Sequence, residues 1–104
     1  WEIRPQALEE IAGSVQIIDV REAGEFTGSL GHVPGARLIP LGELKQRATE
    51  ISRDRPVVTV CRSGARSAQA VVMLQKEGFR DVANLTGGML RWRAEGCGVE
   101  GGSE

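Results

Sequence analysis

Short apolar runs alternate with helical patterns from Pro5 to Gly96. Val15-Gln16-Ile17-Ile18-Asp19-Val20 is apolar on both faces and predicts a buried strand. Arg37-Leu38-Ile39 predicts a short one. Pro56-Val57-Val58-Thr59-Val60 gives the strongest strand signal, being rich in β-branched residues and opened by proline. Val82-Ala83-Asn84-Leu85 predicts another. Between the strands the period changes. Leu41, Leu44, Ala48 and Ile51 recur at spacings of 3, 4 and 3, which places them on one helix face. Ala65 to Lys76 is rich in helix formers and is followed by Gly78, a candidate C′ residue. Met89 and Trp92 lie three apart on a last helix ending at Gly96. Pro5 suits the first turn of an opening helix that points Ala7, Leu8 and Ile11 inward.

Strand–helix alternation with short connections predicts an α/β fold, a parallel sheet covered by helices. Ligands of such sheets bind beyond the carboxyl ends of the strands. That rule selects the residues after Val20 and after Val60, and the residue after Val60 is Cys61.

Composition narrows the picture. The chain has 104 residues, enough for one core, with 40% hydrophobic and 26% charged residues. A net charge of −1 gives no global field for nucleic acid or for an acidic membrane surface. No apolar run reaches the length of a membrane span, and no signal segment is visible. These observations lead to the expectation of a cytoplasmic location. The chain opens Trp1-Glu2-Ile3 without methionine, which leaves open that it is a part of a larger protein. Residues 1–99 are expected to form the domain, and the glycine-rich residues 100–104 a flexible tail. Two cysteines, Cys61 and Cys97, make no disulfide framework, and with one histidine, His32, they make no zinc pattern. Neither metal nor cofactor is expected.

The chemistry concentrates in Cys61-Arg62-Ser63-Gly64-Ala65-Arg66-Ser67, which joins a buried strand to a helix. A thiol there lies under a helix N-terminus, where free N–H groups and the dipole favour an anion. Arg62 and Arg66 add positive charge, and between Arg55 and Lys76 there are four basic residues and no acidic one. Both effects lower a thiol pKa, and the thiolate is the nucleophile. Gly64 lets the backbone curl so that several N–H groups converge. A cysteine at a strand end is otherwise a small buried hydrophobe. The same loop could also cradle a phosphate, although the Walker pattern is absent.

The loop Cys61–Ser67 resembles the active-site loop of single-domain rhodaneses. Asp19-Val20-Arg21-Glu22, Glu25-Phe26 and Gly31-His32-Val33-Pro34-Gly35-Ala36 look like that family's upstream motifs. Gly87-Gly88, with Trp92 and Gly96 behind, looks like its closing motif. The resemblance spans roughly Pro5 to Val99. It implies a rhodanese-like fold, with a five-stranded, mostly parallel sheet and helices on both faces. It also implies two-step sulfur transfer: Cys61 takes a sulfane sulfur from a donor such as thiosulfate and passes it from a persulfide to cyanide or a thiol. Loop N–H groups would hold the persulfide, and Arg62 and Arg66 would attract the anionic donor. The implied partners are small-molecule or protein-bound sulfur donors and acceptors. Phe26 stands where the family commonly has tyrosine, and Cys97 where it often has leucine.

The remaining motif residues have structural roles in this reading. Asp19 is expected to accept backbone N–H bonds, Arg21 to pair with a carboxylate such as Glu22 or Glu25, and His32 to brace its turn through ring hydrogen bonds. Trp92 is expected in the core. Arg66 is expected to brace the loop through backbone partners and Arg62 to project toward the pocket mouth. Four residues separate Cys61 from Arg66, where phosphatases of this fold have five, so a phosphatase or arsenate reductase is the lesser enzyme alternative. A sulfur-relay or protein-binding module of a larger protein is the alternative from another class.

Overall fold

A computed structural model describes residues 1–102. The elements run β1 (Glu2–Ile3), α1 (Pro5–Ile11), β2 (Gln16–Asp19), α2 (Ala23–Phe26), β3 (Arg37–Leu38), α3 (Leu41–Arg47), β4 (Val57–Val60), α4 (Ala65–Lys76), β5 (Val82–Leu85) and α5 (Gly88–Ala94). The five strands form one sheet in the order β1-β5-β4-β2-β3, and every ladder is parallel. The register sets Ile17 opposite Val58 and Thr59 opposite Asn84.

Alternation along β4 divides the core between the two faces. Val57 and Cys61 join Ile18, Leu44, Ala48, Ala70 and Leu74 beneath α3 and α4. Val58 and Val60 join Leu8, Ile17, Met89 and Trp92 beneath α1 and α5. Strands covered on both faces carry no polar alternation, which is why β2 and β4 read as continuous apolar runs. Parallel strands joined by crossovers put their carboxyl ends on one side, so Asp19, Val60 and Leu85 end at the same edge.

Four of the strands follow the apolar runs. The fifth, β1, is two residues long, too short to show a period, and exists by pairing with β5. The stripe that begins on α3 packs inward, with Leu44 buried on the helix and Ala48 and Ile51 buried just past its end at Arg47. The opening helix differs from the expectation. Pro5 and Leu8 are buried, while Ala7 is exposed and Ile11 is 41% exposed. A seven-residue helix touches the sheet along a single line at spacings of 3 and 4, and Pro5, Leu8 and Ala12 occupy it. Helix α2, one turn closed by a capping box between Glu22 and Glu25, carries too few residues for a periodic signal.

One residue of the expected tail is held against the domain. Glu100 pairs with His32 in an antiparallel bridge, through Nitrogen–oxygen contacts of 2.9 Å in both directions. The rest of the expected tail includes residues 103–104, which lie outside the described residues. No helix among the described residues is long and apolar enough to cross a membrane.

Candidate active site

Cys61 follows β4 directly and is 1% exposed. Its sulfur sits at the start of α4, and the loop is folded around it. Gly64 donates its N–H to Sγ at 3.0 Å, and Ser67 Oγ lies 3.2 Å from the same sulfur. Gly64 has φ +108°, a conformation that costs other residues about 1–2 kcal/mol, and this turns its N–H inward. Thr59 Oγ1 donates to the Ser67 carbonyl at 2.9 Å, which ties the first turn of α4 to the strand below it.

Burial pushes the Cys61 thiol up. The Ser67 hydroxyl and the N–H groups of Ser67, Gly64 and Ser63 outweigh that effect, so the thiol lies below its ordinary value. The sequence credited much of this to the two arginines, and the structure corrects that for Arg66. Its guanidinium makes a bidentate pair with Glu25 on α2, at 2.7 and 2.8 Å, instead of bracing the loop through backbone partners. Hydrogen bonding to Arg66 holds the Glu25 carboxyl at about 2, so the pair persists across ordinary pH. Arg66 and Glu25 thus largely neutralise each other and lock α4 to α2. Arg62 is exposed and makes no ion pair among the described residues. It lines a cleft of about 200 Å³ with Arg21, Gly24, Glu25, Gly28, Ser29 and Leu30.

The upstream motif residues support this cleft from behind. Arg21 pairs with Asp19, not with Glu22 or Glu25: Nε lies 2.9 Å from Oδ1 and Nη2 lies 2.7 Å from Oδ2. Asp19 also accepts the Arg21 N–H at 3.1 Å. Arg21 then donates to the carbonyls of Glu25 and Gly31, at 3.1 and 2.8 Å. His32 stacks on Phe26 with ring centroids 3.7 Å apart, and its Nδ1 lies 3.0 Å from the Phe26 carbonyl. Trp92 is buried, with Nε1 donating to Gly98 O at 2.9 Å.

Three contributors to the site lay outside the sequence-predicted set. Glu25 was visible as part of a motif and as a candidate partner of Arg21, not of Arg66. Asn84 contacts Ser67 from β5, and its signal was a polar residue inside an otherwise apolar strand. Gly88 forms the other wall. At φ +59° it brings α5 so close that Met89 and Leu90 donate to the carbonyls of Cys61 and Arg62 at 2.9 and 3.0 Å. Those carbonyls are therefore held on the α5 side of the loop. A Cβ on Gly88 would lie 2.4 Å from Cys61 O and 2.6 Å from Arg62 O. Gly88→Ala is expected to cost about 2–4 kcal/mol, from left-handed strain plus overpacking. Thermal melts, with the alkylation rate of Cys61, check this; a variant equal to the parent in both would show that α5 does not shape the loop.

Cys97 lies in the core beneath α1 and α5, and burial pushes its thiol up. Cys97→Ser is expected to leave the alkylation rate of Cys61 unchanged and to lose about 1–2 kcal/mol of stability from a hydroxyl in an apolar cluster. A changed alkylation rate of Cys61 would tie Cys97 to the site.

Chemically, the arrangement can hold one anionic sulfur at a helix N-terminus, with the exposed charge of Arg62 next to it in the chain. No cluster of His, Cys, Asp and Glu among the described residues is placed to hold a metal ion.

Comparison with known proteins bears on the same residues. The family model for the Rhodanese-like domain matches residues 4–95. The chain is 49% identical over 77 residues to the uncharacterized protein YqhL of Bacillus subtilis, covering 74% of this chain and 60% of that protein. It therefore spans less than two thirds of YqhL. A protein of Allochromatium vinosum named a sulfurtransferase is 40% identical over 85 residues, covering 82% of this chain and 78% of that one. The crystal structure of a rhodanese-related protein from Thermoplasma volcanium superposes with a TM-score of 0.86 at 30% identity, over 93% of this chain and 94% of that chain.

Proposed function

The chain belongs to the rhodanese-like domain family, and from that premise we propose that it transfers a sulfane sulfur through a persulfide on Cys61. The observation that carries this is the sulfur's position. Cys61 Sγ meets the Gly64 N–H at 3.0 Å and the Ser67 hydroxyl at 3.2 Å, and its thiol is lowered despite burial. A donor such as thiosulfate enters past Arg62. The Cys61 thiolate attacks its outer sulfur; a new S–S bond forms, the donor S–S bond breaks, and sulfite leaves with the electron pair. The persulfide carries its charge on the outer sulfur. A thiophilic acceptor, cyanide or a thiol, attacks that sulfur. With cyanide a C–S bond forms, the S–S bond breaks, thiocyanate leaves and the thiolate returns. Donors in the loop, already aimed at the sulfur, stabilise the charge without reorganising.

The test is the mass of the intact protein after thiosulfate. A gain of one sulfur atom, removed by cyanide as thiocyanate appears, is expected. No gain, while Cys61 remains open to alkylation, would overturn the proposal. Arg62 sets the encounter with the donor. Arg62→Ala is expected to raise KM for thiosulfate about 3–10-fold and to weaken its salt dependence, because an exposed charge acts within a Debye length of about 8 Å. Its melting temperature should match the parent. Kinetics across a salt series check both, and unchanged kinetics would make Arg62 a spectator.

Relay of sulfur inside a larger protein is favoured as a second reading by one observation, that the chain spans 60% of YqhL. It keeps the same Cys61 chemistry and changes the acceptor to a protein thiol. Phosphoryl transfer is disfavoured because Arg66, the loop arginine, is committed to Glu25. Cys61-dependent hydrolysis of an aryl phosphate would reverse that judgement.

A further inference from the structure

Behind the sulfur lies a chain of polar groups that the transfer reaction does not itself require. Ser67 Oγ, fully buried, contacts Asn84 Oδ1 as well as Cys61 Sγ. Asn84 is 4% exposed, and its amide nitrogen has two acceptors of its own. Nδ2 donates to Gly64 O at 3.1 Å and to Glu2 Oε2 at 3.1 Å. Glu2 is fixed in turn by the Thr86 hydroxyl at 2.9 Å. With its nitrogen committed to two acceptors, Asn84 can present only its carbonyl oxygen to Ser67. A serine hydroxyl has one proton, and here two acceptors compete for it.

We propose that Asn84 is a positioning residue that acts on Cys61 through Ser67, by offering the Ser67 hydroxyl an alternative acceptor to the sulfur. When charge sits on Sγ, the hydroxyl donates to the sulfur. When Sγ is a neutral thiol, or the inner sulfur of a persulfide, the hydroxyl donates to Asn84 Oδ1. The proton stays on the Ser67 oxygen throughout, and only its direction changes. Stabilising the thiolate therefore leaves the buried Asn84 carbonyl without its partner. Buried acceptors left unpaired carry a cost, and that cost falls on one charge state only. The same step recurs in transfer to the acceptor, because the bond that breaks returns charge to Sγ.

The charged groups on the elements around the loop are the Arg66–Glu25 pair of α4 and α2, the Asp19–Arg21 pair after β2, Arg62, and Glu2 on β1 behind Asn84. All are present in the variants that test the inference. The readout is the pH dependence of iodoacetamide alkylation, measured on the full chain carrying Cys97→Ser so that one thiol reports. Asn84→Ala removes the competing acceptor and is expected to lower the apparent pKa of Cys61 by about one unit. In a Ser67→Ala background the same substitution is expected to produce no shift, since the coupling runs through that hydroxyl. A rise, no change in either background, or an equal shift in both overturns the inference. Asn84→Val, whose β-branched side chain suits the strand, carries the same test if alanine does not fold. The inference rests on Cys61 as the reacting group. Alkylation reads its charge without any sulfur donor, so failure of sulfur loading and failure of the Asn84 coupling are separate results.

Discussion

Cys61→Ser is expected to abolish sulfur loading and to reduce turnover with thiosulfate and cyanide at least about 10³-fold, while leaving the fold intact. A serine hydroxyl is not ionised near neutral pH, and an oxygen in its place cannot form the persulfide. The substitution is nearly isosteric at a 1% exposed position, and the donors of Gly64 and Ser67 can still meet an oxygen. Stability should therefore fall by about 1 kcal/mol at most, the scale of one altered hydrogen bond. Intact mass after thiosulfate, coupled to a thermal melt, separates the two effects. A serine variant that still gains a sulfur would move the site elsewhere. The parent should also show a rate that rises with pH through a thiol titration placed below the ordinary cysteine range. The sign follows from the proposed reactive form: thiolates, not thiols, are nucleophiles, and the loop donors lower the Cys61 thiol from its ordinary value. A rate that falls with rising pH through that titration would contradict thiolate attack.

The largest expected loss of stability belongs to Arg21. Arg21→Met leaves the Asp19 carboxylate buried without its partner and strips the carbonyls of Glu25 and Gly31 of their donor. Side chains of this pair are 1% and 0% exposed, so water cannot substitute. Removing one partner of a buried pair costs about 3–5 kcal/mol, from a total of about 5–15 kcal/mol for a domain. At about 4–8 °C per kcal/mol for a chain of this size, Tm should fall by roughly 12–40 °C. Asp19→Asn in the same chain should recover part of the loss, because the uncompensated charge is then gone. Thermal melts of the single and double variants check this. A single variant melting within a few degrees of the parent, or a double variant worse than the sum, would show that the pair is not what holds this corner. Function is expected to suffer with it. Arg21 holds the end of α2, α2 presents Glu25, and Glu25 holds Arg66 at the start of α4.

Much of the architecture was legible along the chain, for a physical reason. Periods of 2 and 3.6 residues, and the apolar runs of strands covered on both faces, are local signals that survive in one dimension. They located β2, β3, β4 and β5 and the helices α1, α3, α4 and α5. The loop around Cys61 was legible because its environment is also local: strand end, glycine turn and helix start lie within seven consecutive residues, Cys61 to Ser67. Elements shorter than a period, such as β1 and α2, left no such trace and owe their existence to pairing and capping.

The partners of the charged and polar groups were decided only in three dimensions. Arg66 pairs with Glu25 across 41 positions, and Asn84 reaches Ser67 across 17 and Glu2 across 82. Arg21 had three carboxylates within four residues, Asp19, Glu22 and Glu25, and only burial selects Asp19. Gly88 reads as one glycine of a pair until α5 is seen against the Cys61 carbonyl. Secondary structure follows from interactions within a few residues, as do the donors to the Cys61 sulfur, whereas its burial and the Asn84 acceptor beside Ser67 come only with the closed sheet. The amino-acid sequence by itself determined the elements and the loop that carries Cys61; packing of α2, β5 and α5 around that loop decided how its charged and polar groups are partnered.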